Sequence, residues 1–169
     1  MPTYVLDRKT LIAEQWSEVI EHGAGKDTWV MDTVEKKIKE ADLPGVMCLQ
    51  AQVSMGGFFA KKHDLLRVTF DSLKEYRMFI GAQDFGAHLA VSWFLIIVPG
   101  FLKKTLSKRM LGSPEALSMH LPFFDQQELR VCLTVLHHCV THTVETLFEE
   151  LKQDTSGLNT RSKGFLQLW

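Results

Sequence analysis

The stretch Phe85–Leu102, FGAHLAVSWFLIIVPGFL, decides how the rest of the chain is arranged. Its 18 residues hold no Asp, Glu, Lys or Arg, and it stops at Lys103 and Lys104. A helix crosses a bilayer with about 20 apolar residues, so a span is the first reading to weigh. Gly86, His88, Ser92, Pro99 and Gly100 dilute the run and leave Leu89–Val98 as its apolar core. Val91, Trp93, Phe94, Ile96, Ile97 and Val98 are β-branched or aromatic, which suits a pleated surface better than a helix. An apolar block of this length closed by Pro-Gly reads as a strand buried on both faces and ended by a turn. A segment dipping into a membrane interface and a true span are the alternatives.

Upstream of this strand the apolar period is two. Met47, Leu49, Ala51 and Val53 alternate with Cys48, Gln50, Gln52 and Ser54, the pattern of a half-buried strand. After the turn at Met55-Gly56-Gly57, Leu66, Val68 and Phe70 alternate again, and beyond Asp71-Ser72 so do Tyr76, Met78 and Ile80. Four strands joined by short turns imply an antiparallel meander.

Further upstream the period lengthens. Ile12, Trp16, Val19 and Ile20 fall on one face at 3.6-residue spacing, with Glu14, Glu18 and Glu21 elsewhere, which predicts a first helix from Leu6 to Gly23. Asp27 or Thr28 caps a second helix whose stripe is Val30, Val34, Ile38 and Ala41, stopped by Pro44-Gly45. GAGK at Gly23–Lys26 lacks the spacing and the preceding strand of a phosphate loop, and reads as an interhelical turn.

Downstream, Lys103, Lys104, Lys108 and Arg109 are interleaved with Leu102, Leu106, Met110 and Leu111. This is either a short basic amphipathic helix at an anionic surface or a solvated connector. A long helix is predicted from about Asp125 to about Asp154. Its stripe of Leu129, Leu133, Leu136, Val140, Val144, Leu147 and Leu151 is fit to pack on a sheet or on its own copy. A polar linker from Thr155 leads to Phe165, Leu166, Leu168 and Trp169, a hydrophobic tail that docks back, pairs with another molecule or stays loose. The reading is thus one domain over 1–154 and a tail over 155–169.

Composition bounds the function. The chain has 169 residues, 46% hydrophobic and 23% charged, ordinary values for one globular domain. A net charge of -1, from 19 Lys and Arg against 20 Asp and Glu, gives no global electrostatic footprint for nucleic acid. The three cysteines, Cys48, Cys132 and Cys139, form no CxxC pair and no even disulfide framework, which points to a reducing cytoplasm. The N-terminus lacks the basic start and apolar core of an export signal.

Chemistry concentrates on the long helix at His137, His138, Cys139, His142 and Glu145. His138 and His142 are four apart, the spacing that lets two imidazoles share a metal, and Glu145 extends that face. A third or fourth ligand has to come from elsewhere, such as His63, His88 or His120, and HExxH is absent because the local sequence is HCVTH. Interface or surface histidines are therefore preferred to a metal site. Ser92 lies in VSWFL and not in a GxSxG elbow, and adjacent side chains on a helix point apart, which argues against Cys139 as an activated thiolate.

LLRV, YRMFIGAQDFG and VSWFL resemble the pattern of a group of small bacterial proteins of uncharacterised function, which share an FG-x4-VSWWL-like strand segment. The resemblance spans about residues 30 to 98, and the group's second Trp is Phe94 here. It implies a bacterial cytosolic α+β domain and supplies no mechanism.

The expected fold is α+β, with two N-terminal helices, a four-stranded antiparallel meander and a long C-terminal helix packed on the sheet. The preferred function is a non-enzymatic interaction or accessory protein. It would associate with itself or another protein and lie peripheral to a membrane surface through Phe101, Lys103, Lys104, Lys108 and Arg109, with no cofactor and no nucleic acid. The second reading is a binder of small apolar ligands, its pocket between sheet and long helix and lined by Phe79, Trp93, Leu95 and Leu136. A metal-dependent enzyme using His138, His142 and Glu145 comes third.

Overall fold

The structure is a computed structural model, and it describes residues 2–6, 10–55, 61–98 and 122–169. Its elements are β1 (Thr3–Leu6), β2 (Leu11–Ile20), α1 (Asp27–Glu40), β3 (Val46–Met55), β4 (Lys62–Phe70), β5 (Tyr76–Phe85), β6 (His88–Ile97), α2 (Phe123–Glu150) and β7 (Lys163–Gly164). The strands form one seven-stranded sheet in the order β1-β3-β4-β5-β6-β2-β7. Every pairing is antiparallel except β1 with β3.

The molecule is α+β, but the expected arrangement of two N-terminal helices and a four-stranded meander is overturned. The four expected strands are β3 to β6, and they do pair consecutively. The predicted first helix is the ten-residue strand β2, running antiparallel to β6 with Trp16 opposite Trp93 and Ile20 opposite Leu89. Two features hide its period of two. The register shifts between Ile12 and Glu14, moving the alternation by one residue. Beyond the shift, the side toward the core carries Glu14 and Glu18 with Trp16 and Ile20, so charge falls where a strand pattern calls for apolar residues. Those carboxylates face the C-terminal tail. The strands β1 and β7 are too short to show alternation at all.

Both described helices cover the same side of the sheet. Val30, Val34 and Ile38 of α1 and Leu129, Leu133, Leu136, Val140, Val144 and Leu147 of α2 join Leu66, Val68, Met78, Ile80, Trp93 and Leu95 in one core. The α1 stripe recurs every four residues, and Asp27 in its first turn and Lys37 and Lys39 in its last complement the helix dipole. Lys26 pairs with Glu150 at 3.7 Å, linking the start of α1 to the end of α2.

The other side of the sheet holds a second, smaller core of Leu6, Val53, Phe79 and Ile96, with Tyr4, Leu65 and Phe94 packed against it. Its existence follows from chain length. Flat, the five strand spacings from β1 to β2 would span about 24 Å, whereas the five residue steps from Leu6 to Leu11 reach about 17 Å. The sheet must curl, and β1 is thereby brought over toward β5 and β6. No helix among the described residues is long and apolar enough to cross a membrane. The uncharged stretch is instead the end of β5, the two-residue turn Gly86-Ala87 and β6, with Phe85 opposite His88; its last residues, from Pro99, lie outside the described ones.

Candidate functional site

The tail is locked to β2. The carboxyl group of Glu14, fully buried, accepts hydrogen bonds from the Ser162 hydroxyl, from Leu166 N at 2.8 Å and from Gln167 N at 3.1 Å. Glu18 accepts from Asn159 N at 2.9 Å, and Trp16 Nε1 donates to the Asn159 carbonyl at 2.5 Å. Leu166 and Leu168 enter the main core. The approach is close at Gly164, where a Cβ would sit 2.3 Å from the Ala13 carbonyl oxygen.

His137 belongs to this lock. It is fully buried between Trp16 and Trp93, with ring centroids 5.8 and 5.6 Å away in edge-on geometry. Trp93 Nε1 can only donate, so at 3.0 Å His137 Nδ1 accepts, and Nε2 carries the hydrogen given to the Thr160 carbonyl at 2.8 Å. Burial holds its pKa below the ordinary histidine value, opposed by the Thr160 hydrogen bond and reinforced by neighbouring His138. The imidazole is a neutral structural tie with both nitrogens engaged.

His138 and His142 are held apart from one another by different partners. His138 Nε2 donates to the Trp169 carbonyl at 3.3 Å, while Lys37 Nζ donates to His142 Nδ1 at 3.1 Å. Glu145 is half-buried one turn further on. Among the described residues no group of three or more His, Cys, Asp and Glu is placed to hold a metal. Burial raises the thiol pKa of Cys132 and Cys139, and that of Cys48 to about 11, so all three are poor nucleophiles at neutral pH.

The expected pocket residues are divided between the two sides of the sheet. Trp93, Leu95 and Leu136 are fully buried in the helix-covered core, whereas Phe79 points the other way into the smaller one. Phe101, Lys103, Lys104, Lys108 and Arg109 lie outside the described residues.

A cavity of about 770 Å³ opens among the described residues where β4 and β5 part. Their ladder runs from Thr69–Arg77 to Leu66–Ile80 and stops, although β4 continues back to Lys62 and β5 on to Phe85. The next pair would be Leu65 and Gly81. There the Leu65 side chain lies over the glycine, with Cδ2 only 2.4 Å from the place a Cβ would take. Beyond that point the two strands no longer pair with each other, and residues of both line the cavity. Leu6, Val53, Leu65 and Phe94 give it an apolar wall continuous with the smaller core, and His63, Gln83 and Ser92 add polar groups. Asp27, Met31 and Asp32 of α1 reach its other rim.

Beside the cavity, on the side away from α1 and α2, the Arg67 and Arg77 guanidinium carbons lie 4.9 and 5.6 Å from the centre of the Tyr4 ring. Sequence reasoning passed over these residues and Gly81. The available signal was an arginine at an alternating position in each of two adjacent strands, LLRVTF and YRMFI. Comparison with protein families, with curated proteins and with solved structures finds no match for the chain.

Proposed function

We propose that the protein is a non-enzymatic binding module whose ligand is a small molecule with an apolar body, taken up where β4 and β5 diverge. The observation that carries this reading is the 770 Å³ cavity, a volume within the roughly 300–1,000 Å³ of small-molecule sites. Its apolar wall of Leu6, Val53, Leu65 and Phe94 would take the body of such a ligand, and the rim mixes acidic Asp27, Asp32, Asp64 and Asp84 with Lys61 and Lys62. In this reading the ligand occupies the broken ladder, and Gly81 leaves room for Leu65 to fold aside.

Native mass spectrometry on protein purified without detergent tests it. The expected result is a small-molecule adduct on the wild type that is lost in Ala90→Trp, which fills the cavity from β6 while leaving the helix-covered core untouched. An adduct-free wild type that also takes up no added decanol would overturn the reading.

A second reading, assembly, is favoured by the outer surface of α2, where Phe123, Phe124 and Val131 are exposed with Trp169 of the tail. Phe124 and Val131 are two turns apart on one helix face, as a self-associating stripe requires. Light scattering on the size-exclusion peak separates the two: a dimer without added mass supports assembly, and a monomer with added mass supports the pocket.

A further inference from the structure

The side of the sheet away from α1 and α2 has a one-signed charge. Strand register places Met47, Leu49, Ala51 and Val53 of β3 on it, with His63, Leu65, Arg67 and Thr69 of β4 opposite them. Arg77, Phe79, Gly81 and Gln83 of β5 follow, then Ile96, Phe94, Ser92 and Ala90 of β6. Ile12, Gln15, Ser17 and Val19 of β2 complete the row, and Lys163 of β7 lies opposite Gln15. None of these positions is Asp or Glu. The ion pairs among the described residues, Lys26–Glu150, Lys36–Glu40 and Lys39–Glu35, leave Arg67 and Arg77 out.

Two buried polar atoms on this side have no hydrogen-bond partner among the described residues, Arg67 Nε and Thr69 Oγ1. They belong to neighbouring same-face positions of β4, and Thr69 is directly opposite Arg77. A buried unpaired donor costs free energy comparable to a lost hydrogen bond, and two guanidiniums near one Tyr4 ring repel one another. Both penalties disappear if one group accepts from all three side chains. Desolvation, and then the charge of Arg77, depress the Arg67 pKa, the signature of cations crowded without a counter-charge. The group needed is an anionic acceptor of planar or tetrahedral oxygens, which guanidinium forks recognise. Leu49 is opposite Arg67 and Met47 opposite Thr69, both about half exposed. They offer an apolar floor beside the charged spot.

We propose that Arg67, Thr69 and Arg77 form a receptor for an oxyanion, a carboxylate or a phosphate, carried on an apolar molecule whose body lies on Met47 and Leu49. The site uses other residues than the cavity between β4 and β5 and stands without it. The guanidinium of Arg77 and the Nε–H of Arg67 donate to the oxyanion, and the Thr69 hydroxyl donates a third hydrogen bond. Tyr4 lies against both guanidiniums, and because Arg67 Nε and Thr69 Oγ1 are buried the side chains over them shift to admit the oxyanion.

Titration of 15N-labelled full-length chain with decanoate, decanol and inorganic phosphate, followed by amide chemical shifts, tests the proposal. Decanoate is expected to shift Thr69 and Arg77 saturably and to bind at least tenfold more tightly than decanol or phosphate. Arg77→Gln and Thr69→Val should each weaken decanoate at least tenfold, the loss expected of one charge-assisted hydrogen bond. Thr69→Val is nearly isosteric and guards against a folding artefact. Equal affinity for decanol and decanoate would overturn the proposal, as would affinity unchanged by either variant. Phosphate binding as tightly as decanoate would remove the apolar body from it. Decanoate shifts confined to Ala90 and Ser92 would place the ligand in the cavity and refute this site while leaving the cavity reading intact.

Discussion

The two sides of the sheet are built from the same strands and solve opposite problems. On the helix-covered side the buried polar side chains among the described residues have hydrogen-bond partners. Trp93, Trp16, His137 and Glu14 are buried among partners, and the main core closes over them. On the other side, β4 and β5 place Arg67 and Thr69 with buried atoms that have no partner, and the ladder between those strands breaks beside them. Satisfied polar groups fix one structure, whereas unsatisfied ones store an affinity for something else. The first side therefore carries stability, and the second is the side to which we assign binding in the proposals above.

Substitutions rank this contrast. Trp93→Ala removes the largest fully buried side chain and strands His137 Nδ1. It should cost about 3–5 kcal/mol, read from urea unfolding followed by circular dichroism. Glu14→Ala leaves the Ser162 hydroxyl and two tail amides without their acceptor. The expected loss is about 2–3 kcal/mol, with early hydrogen exchange at Leu166 and Gln167. If the exchange of those amides is unchanged, the tail is not held by Glu14.

The pH dependence is smaller and has a definite sign. His137 has its folded pKa lowered from the usual 6.5, so below that value the unfolded chain binds the extra proton. Its contribution is complete above about pH 6.5 and is lost as pH falls from there toward the lowered folded value. The urea midpoint should drop as pH falls below about 6.5, and less steeply in His137→Gln, the two slopes being the measurement. The smallest effect belongs to the other side. Thr69→Val replaces an unpartnered hydroxyl with a methyl and should change stability by no more than about 0.5 kcal/mol in either direction. A loss as large as that of Glu14→Ala would mean that Thr69 is part of the structural network and would abolish the contrast.

Much of the fold is legible in the residues. The Val30, Val34, Ile38 stripe, the leucine stripe from Leu129 to Leu147, and the alternation in β3, β4 and β5 state their periods openly because one side of each element is buried by apolar partners. The uncharged run is similarly plain. Trp93 and Leu95 point into the main core while Phe94 and Ile96 belong to the smaller one, so β6 is covered on both sides over these residues and reads there as an apolar run. The candidate sites were less legible. Phe79, Trp93, Leu95 and Leu136 have the composition of a pocket wall, but whether residues one apart in a strand share a side is a matter of pleat, and Phe79 does not share it with the others. His138 and His142 have ligand spacing, yet the Trp169 carbonyl and Lys37 engage them, and neither partner is near in sequence.

What the sequence determined by itself was the four consecutive strands β3 to β6, the last of them apolar on both sides, and the amphipathic helices α1 and α2; the further helix it predicted from Leu6 to Gly23 is the strand β2. The four strands and two helices follow from local periodicity, which each segment carries alone. Tertiary structure decided the state of β2, the docking of the tail and the place of Arg67 and Arg77 against Tyr4. Each of these depends on contacts between segments far apart in the chain: Glu14 with Leu166, His137 with Trp93, Tyr4 with Arg67. A buried glutamate looks like a solvent-facing one until its distant hydrogen-bond donors are in place, because the free energy of burying a polar group is set by its partner and not by its neighbours in sequence.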